Sequence, residues 1–396
     1  MAGRKVESEI VPFEPFDVVS LRSNLDGSAG TNRARATACQ ISTQNDVDAL
    51  KAFLARYADK QTTFNNFRKE VERLFLWATR QLGKTLSSLT HEDLLAYQRF
   101  LGDPKPLAQW INANRKVPRE HRDWRPFSGP LSPSSRRQAF VILNVMFAWL
   151  VNAGYLAGNP LSLSRQRSRK TPPRVTRYLD DELWACVKQT IDRMPRETER
   201  QRAHYFRTRW LFTLLYLGGL RVSEVCENTM GAFFARRDQD GEERWWLEVA
   251  GKGDKTRLVP ATGELMIELA RYRRESGLAP SPTPGEDTPL ILPLGKPRRP
   301  LTRAALHLIL KEVFLRASDE MRRRATEYVP RADQLARASA HWLRHTAGSR
   351  MADGALDLRH VRDNLGHESL KTTSRYLHSD DDRRHKETQQ KHRINW

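Results

Sequence analysis

Apolar residues recur with helical spacing in two long segments of this chain, and a basic stretch without carboxylates separates the segments. In the first segment, Val47, Leu50 and Phe53 begin a series of three- and four-residue steps that indicates amphipathic helices. The separating residues 164–178 are rich in arginine and contain two prolines, so they offer little apolar surface to a core. The pattern predicts two domains joined by a basic linker, and 396 residues suit two domains of about 100–200 residues each.

The first segment, residues 41–163, predicts a helical domain. Residues 1–40 show no sustained period and are predicted to form an arm that is poorly ordered or becomes ordered only on binding. Thr90 and Asp93 have the spacing of a capping box, which predicts that a short helix begins there. Residues 102–133 are rich in proline and basic residues, as expected of an insertion or a long loop.

The second segment, residues 179–385, predicts helices around a small sheet. Residues 244–249 and 257–259 flank a glycine-containing turn at 250–255, which is typical of a β-hairpin. Residues 386–396 form a polar tail. The predicted fold is therefore mainly α with a small antiparallel β-sheet, in which an α+β domain follows a helical one.

The charge balance is strongly basic in both halves. The chain has 67 Lys and Arg against 47 Asp and Glu, a formal net charge of +20. Residues 1–178 contribute 28 basic and 15 acidic residues, and the rest contributes 39 and 32. Because the fold gains nothing from such an excess, it indicates a polyanionic partner, most simply a nucleic acid that both domains contact.

Cysteine usage and hydropathy argue against other classes of protein. Cys39, Cys186 and Cys226 lie far apart without a CxxC pair, which excludes a disulfide scaffold and a cysteine zinc module. The first residues lack the apolar core of a secretory signal, and no apolar run approaches the roughly 20 residues of a membrane span. We therefore expect a soluble cytoplasmic protein without a membrane partner.

Short motifs whose side chains could take part in a reaction follow one another between residues 217 and 376. Each motif alone has an ordinary structural explanation, such as a surface ion pair, a solvated turn, a helix cap or a half-buried aromatic. The motifs are Arg221 with Glu224, Gly251-Lys252-Gly253 at the hairpin tip, His341 with Arg344 on one helical face, Leu365-Gly366-His367, and Tyr376.

In combination these residue types suit phosphoryl transfer. Two guanidiniums can stabilise the charge on the non-bridging oxygens of a phosphodiester. A tyrosine hydroxyl can form a covalent ester that conserves the bond energy, and lysine and histidine can move the protons. The sequence has neither a Walker loop nor the carboxylate cluster that magnesium requires. We therefore expect transfer without a metal, a nucleotide or any other cofactor.

At these residues the sequence resembles the tyrosine recombinase, or phage integrase, family. The family's motif order is Arg, Lys, His-x-x-Arg, His or Trp, and Tyr. The matching segments here are Leu-Gly-Gly-Leu-Arg221-Val-Ser-Glu224, Ala-Gly-Lys252-Gly-Asp-Lys-Thr-Arg-Leu-Val-Pro, His341-Trp-Leu-Arg344-His-Thr, Leu-Gly-His367 and Thr-Thr-Ser-Arg-Tyr376. The resemblance covers residues 179–384 strongly and 41–160 more weakly. It implies a C-shaped clamp in which a helical, SAM-like core-binding domain and a catalytic domain enclose double-stranded DNA.

The resemblance also implies a role for each matching residue. Tyr376 would form a 3′-phosphotyrosyl bond, Arg221 and Arg344 would hold the scissile phosphate, and Lys252 would protonate the 5′ oxygen. The two histidines would assist, and the glutamate would orient an arginine or a histidine. The implied catalytic set is Arg221, Lys252, His341, Arg344, His367 and Tyr376, supported by Glu224.

Further basic residues are candidates for DNA contacts. They are Arg165, Arg167, Arg169, Lys170, Lys255 and Arg257. The family implies four protomers acting on two recombination sites through a Holliday junction, and Ile394 and Trp396 are expected to anchor the tail in an apolar pocket of a neighbouring catalytic domain. The implied function is integration, excision or resolution of a mobile element. The protein is expected to be bacterial or phage-borne and to act at the nucleoid.

Three alternatives remain open. His341 and His345, with His360 or His367, could bind a metal in a hydrolase, although no HExxH glutamate is present and the arginines would have no role. A DNA-binding regulator would not need all six catalytic positions. A relaxing enzyme of the type IB topoisomerase class shares the chemistry, but the two-domain layout and the lysine hairpin favour recombination.

Overall fold

A computed structural model describes residues 13–16, 23–34, 39–112, 117–164, 177–251, 256–295, 299–354, 356–367 and 373. Contacts within the chain divide it into two compact units, Met1–Arg169 and Lys170–Trp396. Each unit contains a hydrophobic core of its own. Within the described part of the chain, no helix is long and apolar enough to cross a membrane.

The first unit is helical. Its helices are α1 (Asp46–Ala55), α2 (Gln61–Trp77), α3 (His91–Phe100), α4 (Leu107–Trp110) and α5 (Pro133–Asn152). The predicted capping box is confirmed, because the side chains of Thr90 and Asp93 each accept a hydrogen bond from the other's backbone N–H at the start of α3. Helix α2 packs against α1 and α5, and their apolar residues form the first core.

The predicted disorder of residues 1–40 is wrong for the parts that the structure describes. Phe13 and Phe16 are buried in the first core. The N–H of Asp46 donates to the carbonyl of Asp26 at 2.8 Å, which fastens that part of the arm to α1. Scattered aromatic residues and single hydrogen bonds leave no periodic signal, so the sequence pattern does not show this packing.

The insertion at residues 102–133 contributes to the same core. Trp110 and Phe127 are fully buried there. Arg73 of α2 donates through Nε to the carbonyl of Pro126 at 2.9 Å, and its guanidinium carbon lies 4.6 Å from the centre of the Phe127 ring. The described part of the insertion is therefore held by burial and by a buried arginine.

The second unit contains helices around an antiparallel sheet. Its helices are α6 (Asp181–Asp192), α7 (Glu199–Leu217), α8 (Val222–Glu227), α9 (Gly263–Glu275), α10 (Arg303–Arg322), α11 (Val329–Ala336), α12 (Ala340–Asp353) and α13 (Leu358–Leu365). The strands β1 (Phe233–Arg237), β2 (Glu243–Ala250) and β3 (Thr256–Ala261) form one sheet in the order β1-β2-β3. The predicted fold class, mainly α with a small antiparallel sheet, is confirmed.

Strands β2 and β3 are the predicted hairpin. Leu247 pairs with Val259 and Val249 with Arg257, and residues 252–255 of the connection lie outside the described residues. The buried Leu247, Val249 and Val259 attach the sheet to the core of the second unit. The paired strands therefore fix Ala250 and Thr256, which flank the connection, in place on the second unit.

Candidate active site

Arg221 and Glu224 lie at the start of α8, where the chain leaves α7 through a glycine turn. Gly219 has φ +57°, and a Cβ there would lie 2.7 Å from a side-chain carbon of Leu365, so the turn requires glycine. Arg221 is the N-cap residue of α8. Its backbone N–H and its guanidinium both donate to the Glu224 carboxylate at 2.7 Å. The pair that the sequence predicts is thus bonded twice.

Helix α12 carries His341 and Arg344. The Arg344 side chain is buried, and its guanidinium donates to the carbonyls of Gly219 and Leu365. A buried guanidinium destabilises the fold unless its N–H groups have acceptors, and these carbonyls supply them. Arg344 is therefore held by the backbone before α8 and at the end of α13.

The end of α13, residues 364–366, accepts hydrogen bonds from three arginines, and we call it the arginine turn. The bonds run from Arg257 Nε to the Asn364 carbonyl (3.1 Å), from Arg344 to the Leu365 carbonyl, and from Arg221 to the Gly366 carbonyl (3.2 Å). The last carbonyls of a helix have no partners within it and carry partial negative charge, which suits guanidiniums. The turn therefore gathers cations from α8, β3 and α12.

Glu224 connects two of these arginines. It accepts two hydrogen bonds from Arg257, at 2.9 and 2.8 Å, besides those from Arg221. Burial alone would raise the pKa of Glu224, but the bonds to Arg257 and Arg221 lower that pKa to about 2. Glu224 is therefore ionised at neutral pH, and its single carboxylate binds the guanidiniums of both Arg221 and Arg257.

The two histidines of the motifs are neutral in the protein alone. Burial first, and then the charges of Arg344 and Arg221, lower the pKa of His367 to about 4. The same causes lower the pKa of His341. Nδ1 of His367 lies 3.0 Å from the hydroxyl oxygen of Thr373. Neutral imidazoles among arginines can accept a proton when an anion arrives, because its charge favours the imidazolium.

Several predicted site residues lie outside the described residues. They are Tyr376, Lys252, Lys255, Arg165, Arg167, Arg169 and Lys170. Lys252 and Lys255 belong to the connection between β2 and β3, and Tyr376 follows Thr373 by three positions. The described part of the site therefore comprises both arginines, both histidines and the glutamate of the predicted set.

Arg257 lies in a different place from that expected of a DNA contact. Its side chain is 12% exposed, and all three guanidinium nitrogens donate within the protein. The structure therefore does not support a direct contact between this guanidinium and DNA. Sequence reasoning missed its bond to Glu224 because the two residues are 33 positions apart. No local spacing signals such a pair.

A metal site would need a third ligand near His341 and His345. Their ring centres are 6.0 Å apart. Among the residues that the structure describes, no three His, Cys, Asp or Glu side chains are grouped to hold a metal ion. The charges that act on His341 come from Arg344 and Arg221, and this surrounding favours an anion over a metal cation.

Comparisons with known proteins show which family this chain is similar to. The family model described as the phage integrase family matches residues 187–383. The tyrosine recombinase XerD of Neisseria meningitidis serogroup A is 25% identical over 318 residues, which are 80% of this chain and 87% of the relative. The tyrosine recombinase XerC of Xanthomonas campestris pv. campestris strain B100 is 26% identical over 339 residues, 84% and 85% of the two chains.

Two solved structures share the fold. One is the XerH site-specific recombinase bound to a palindromic difH substrate in a post-cleavage complex, with a TM-score of 0.57 and 17% identity over 88% of this chain and 90% of that chain. The other is the Tn1549 transposon integrase with transposon right-end DNA, with a TM-score of 0.53 and 16% identity over 87% and 99%.

The second unit thus contains a phage integrase domain, a catalytic domain of the class that breaks and joins DNA strands. The chain belongs to the tyrosine recombinase family and is a site-specific recombinase that cleaves and rejoins DNA.

Proposed function

We propose that this protein recombines DNA through a 3′-phosphotyrosyl intermediate on Tyr376. The observation that carries the proposal is the arginine turn, where Arg221 and Arg344 are fixed by backbone carbonyls beside His367. Donors that are already held in place stabilise a developing negative charge without reorganising, and this is the largest contribution in many enzymes. The guanidiniums of Arg221 and Arg344 suit the charge on the non-bridging oxygens in the transition state of a phosphodiester.

The proposed reaction exchanges one ester bond for another. The Tyr376 oxygen attacks phosphorus, its proton passes to a neutral histidine of the site, and the bond to the 5′ oxygen breaks as Lys252 protonates that oxygen. A 5′ hydroxyl from the partner strand then attacks the phosphotyrosine and releases Tyr376. Because the ester energy is kept, the cycle needs neither ATP nor a metal ion.

The decisive experiment traps the covalent intermediate. The full chain is incubated with fragmented bacterial DNA and denatured, and protein–DNA adducts are quantified with and without a chelator. We expect an adduct that the chelator does not reduce. Tyr376→Phe should bind DNA normally and form no adduct, whereas Tyr328→Phe in the same unit should form it normally. An adduct at the wild-type rate in Tyr376→Phe would remove Tyr376 as the nucleophile.

We propose that Arg165, Arg167, Arg169 and Lys170 of the linker bind DNA phosphates, and that Lys255 does so from the hairpin. Their support is the excess of basic residues on both sides of the linker. Each neutralised phosphate steepens the fall of log affinity with log salt by about 0.9 on duplex DNA. Replacing the four linker residues by glutamine should flatten the slope measured by fluorescence anisotropy. An unchanged slope contradicts these contacts.

We propose assembly as a homotetramer on two DNA sites, with residues 386–396 of one protomer docked on the next. A groove of about 600 Å³ on the second unit supports this proposal. It is lined by Leu308 of α10, which is 72% exposed, and by Ala304, Ala338 and Ala340. Such a groove has the size to bury the Ile394 and Trp396 side chains of the tail.

Deleting residues 386–396 tests this docking. The truncated chain should bind a single site with unchanged affinity and lose the pairing of two sites, measured by native gel mobility. Leu308→Glu should produce the same loss, since it charges the groove. A truncated chain that pairs sites at the full rate contradicts the proposal.

We further propose that the DNA substrate belongs to a mobile element in a bacterial cell, which would place the protein on the nucleoid. The support is that the tyrosine recombinases XerC and XerD named above are bacterial proteins and that a transposon integrase shares the fold. Sequencing the DNA in trapped adducts identifies the cleaved site. Sites at the ends of an element support the proposal, and sites elsewhere in the chromosome contradict it.

A further inference from the structure

Arg257 has no role in the proposed set of catalytic residues, yet it contacts most of the elements that carry that set. It lies on β3, two guanidinium nitrogens bind Glu224 of α8, and the third binds the Asn364 carbonyl of the arginine turn. Glu224 in turn holds Arg221, and His367 directly follows the turn. One guanidinium therefore joins three separate parts of the chain.

We propose that Arg257 is a positioning residue that holds Arg221, the turn before His367 and the hairpin that carries Lys252 in a single arrangement. This inference rests on the proposed function, in which Arg221, His367 and Lys252 are catalytic residues.

The backbone around Arg257 fits this role. Gly366 has φ +60°, and a Cβ there would come within 2.8 Å of Arg257 Cδ, so glycine permits the arginine to lie directly against the turn. Arg257 is the second residue of β3 and pairs with Val249 of β2. The hairpin connection that contains Lys252 thus begins and ends within a few residues of the anchored position.

A lysine at this position would keep the charge and lose the geometry. The planar guanidinium binds both oxygens of a carboxylate and still offers Nε to a carbonyl, whereas an ammonium is a compact point charge. Three simultaneous hydrogen bonds of 2.8–3.1 Å to three acceptors therefore require the planar guanidinium group. Displacing a catalytic group by about 1 Å can reduce a rate by about 100-fold.

Arg209 offers a matched control in the same unit. It binds both oxygens of Glu268, at 2.8 and 3.0 Å, and joins α7 to α9 away from the site. We compare Arg257→Lys with Arg209→Lys in single-turnover adduct formation, DNA affinity and melting temperature. Arg257→Lys should form the adduct about 10- to 100-fold more slowly with unchanged affinity. Arg209→Lys should keep the wild-type rate.

A pH profile separates positioning from a merely structural role. The charged groups that face Glu224 are Arg221 on its own helix and Arg257 on β3, and His367 follows the turn behind them. Removing Arg257 removes the hydrogen bonds that do most to lower the pKa of Glu224. The rate of Arg257→Gln should therefore fall with decreasing pH where that of the wild type is flat. Adding Glu224→Gln should abolish the fall.

The outcomes distinguish this inference from the proposed function. If the wild type forms no adduct, the proposed function fails. If the wild type forms it and Arg257→Lys matches it in rate, or Arg257→Gln keeps the wild-type pH profile, Arg257 is structural only and the inference is overturned.

Discussion

Each unit of this recombinase contains a cluster of arginines and glutamates, and the ratio of carboxylates to arginines differs between the two. In the first unit, Glu70 binds Arg73 and the more exposed Lys69, and Glu72 binds Arg119. In the second unit, the one carboxylate of Glu224 binds both Arg221 and Arg257, and the arginine turn also accepts a hydrogen bond from Arg344.

The donors of the two clusters also have different partners. In the first unit they go to carboxylates and to the backbone of the insertion, so they tie segments of the fold together. In the second unit three side-chain bonds go to Glu224 and four go to backbone carbonyls, whose partial charges cannot neutralise full ones. An arginine held by carbonyls keeps more of its charge for an arriving anion than an arginine paired with a carboxylate. The partners of an arginine cluster thus help to separate a structural role from a functional one.

The largest expected effect is on Arg344. Arg344→Ala should slow adduct formation about 100- to 1,000-fold, because a preorganised donor is lost from the transition state. DNA affinity should hardly change, since many other basic residues contact the backbone. Quenched single-turnover assays and anisotropy measure the two quantities, with the exposed Arg323→Ala as a control. A loss of affinity as large as the loss of rate would make Arg344 a DNA-positioning contact.

Arg73 should behave in the opposite way. Arg73→Met leaves the Glu70 carboxylate buried without its main partner, which should lower the free energy of unfolding by about 3 kcal/mol. The adduct rate of the folded protein should be unchanged. Urea titration and the trapping assay measure these effects, and the exposed Arg80→Met should change stability by less than about 0.5 kcal/mol. Slower adduct formation by folded Arg73→Met would contradict the structural role assigned to the first cluster.

A tetrahedral oxyanion should stabilise the second cluster only. At ten times its dissociation constant, orthovanadate should raise the free energy of unfolding by about 1.4 kcal/mol. Calorimetry should show this gain in the wild type and in Arg73→Met. Arg344→Ala should show none, because its site has lost one of the guanidiniums that would bind the anion. Equal stabilisation of all three proteins would mean that the anion binds elsewhere.

The smallest expected effect is on pH dependence. The pKa of His367 is about 4 in the folded protein, below the value of about 6.5 in an unfolded chain. The unfolded state therefore gains a proton first as pH falls from about 6.5 to about 4, and the folded state loses stability in this window. Urea titrations of His367→Asn at several pH values should show a shallower fall. The control His121→Asn, an exposed histidine, should follow the wild type.

Local patterns in the sequence predicted much of this molecule. The capping box at Thr90 and the β2–β3 hairpin depend on neighbouring residues, and both are present. The burial of Phe16 and the bonds of Arg257 depend on partners 56 and 33 positions away, which no spacing rule reaches. The motif order indicated the site, but only the three-dimensional structure shows that three arginines bind the end of α13.

The arginine turn also bears on how the protein is made. Arg221 meets its carbonyl 145 residues later, and Arg257 meets its own 107 residues later. On the ribosome, Arg221 and Arg257 therefore emerge well before the turn that accepts their hydrogen bonds, and the site can be aligned only once residues 364–366 have been synthesised. A chain that ends before residue 364 would carry these arginines without the carbonyls of the arginine turn.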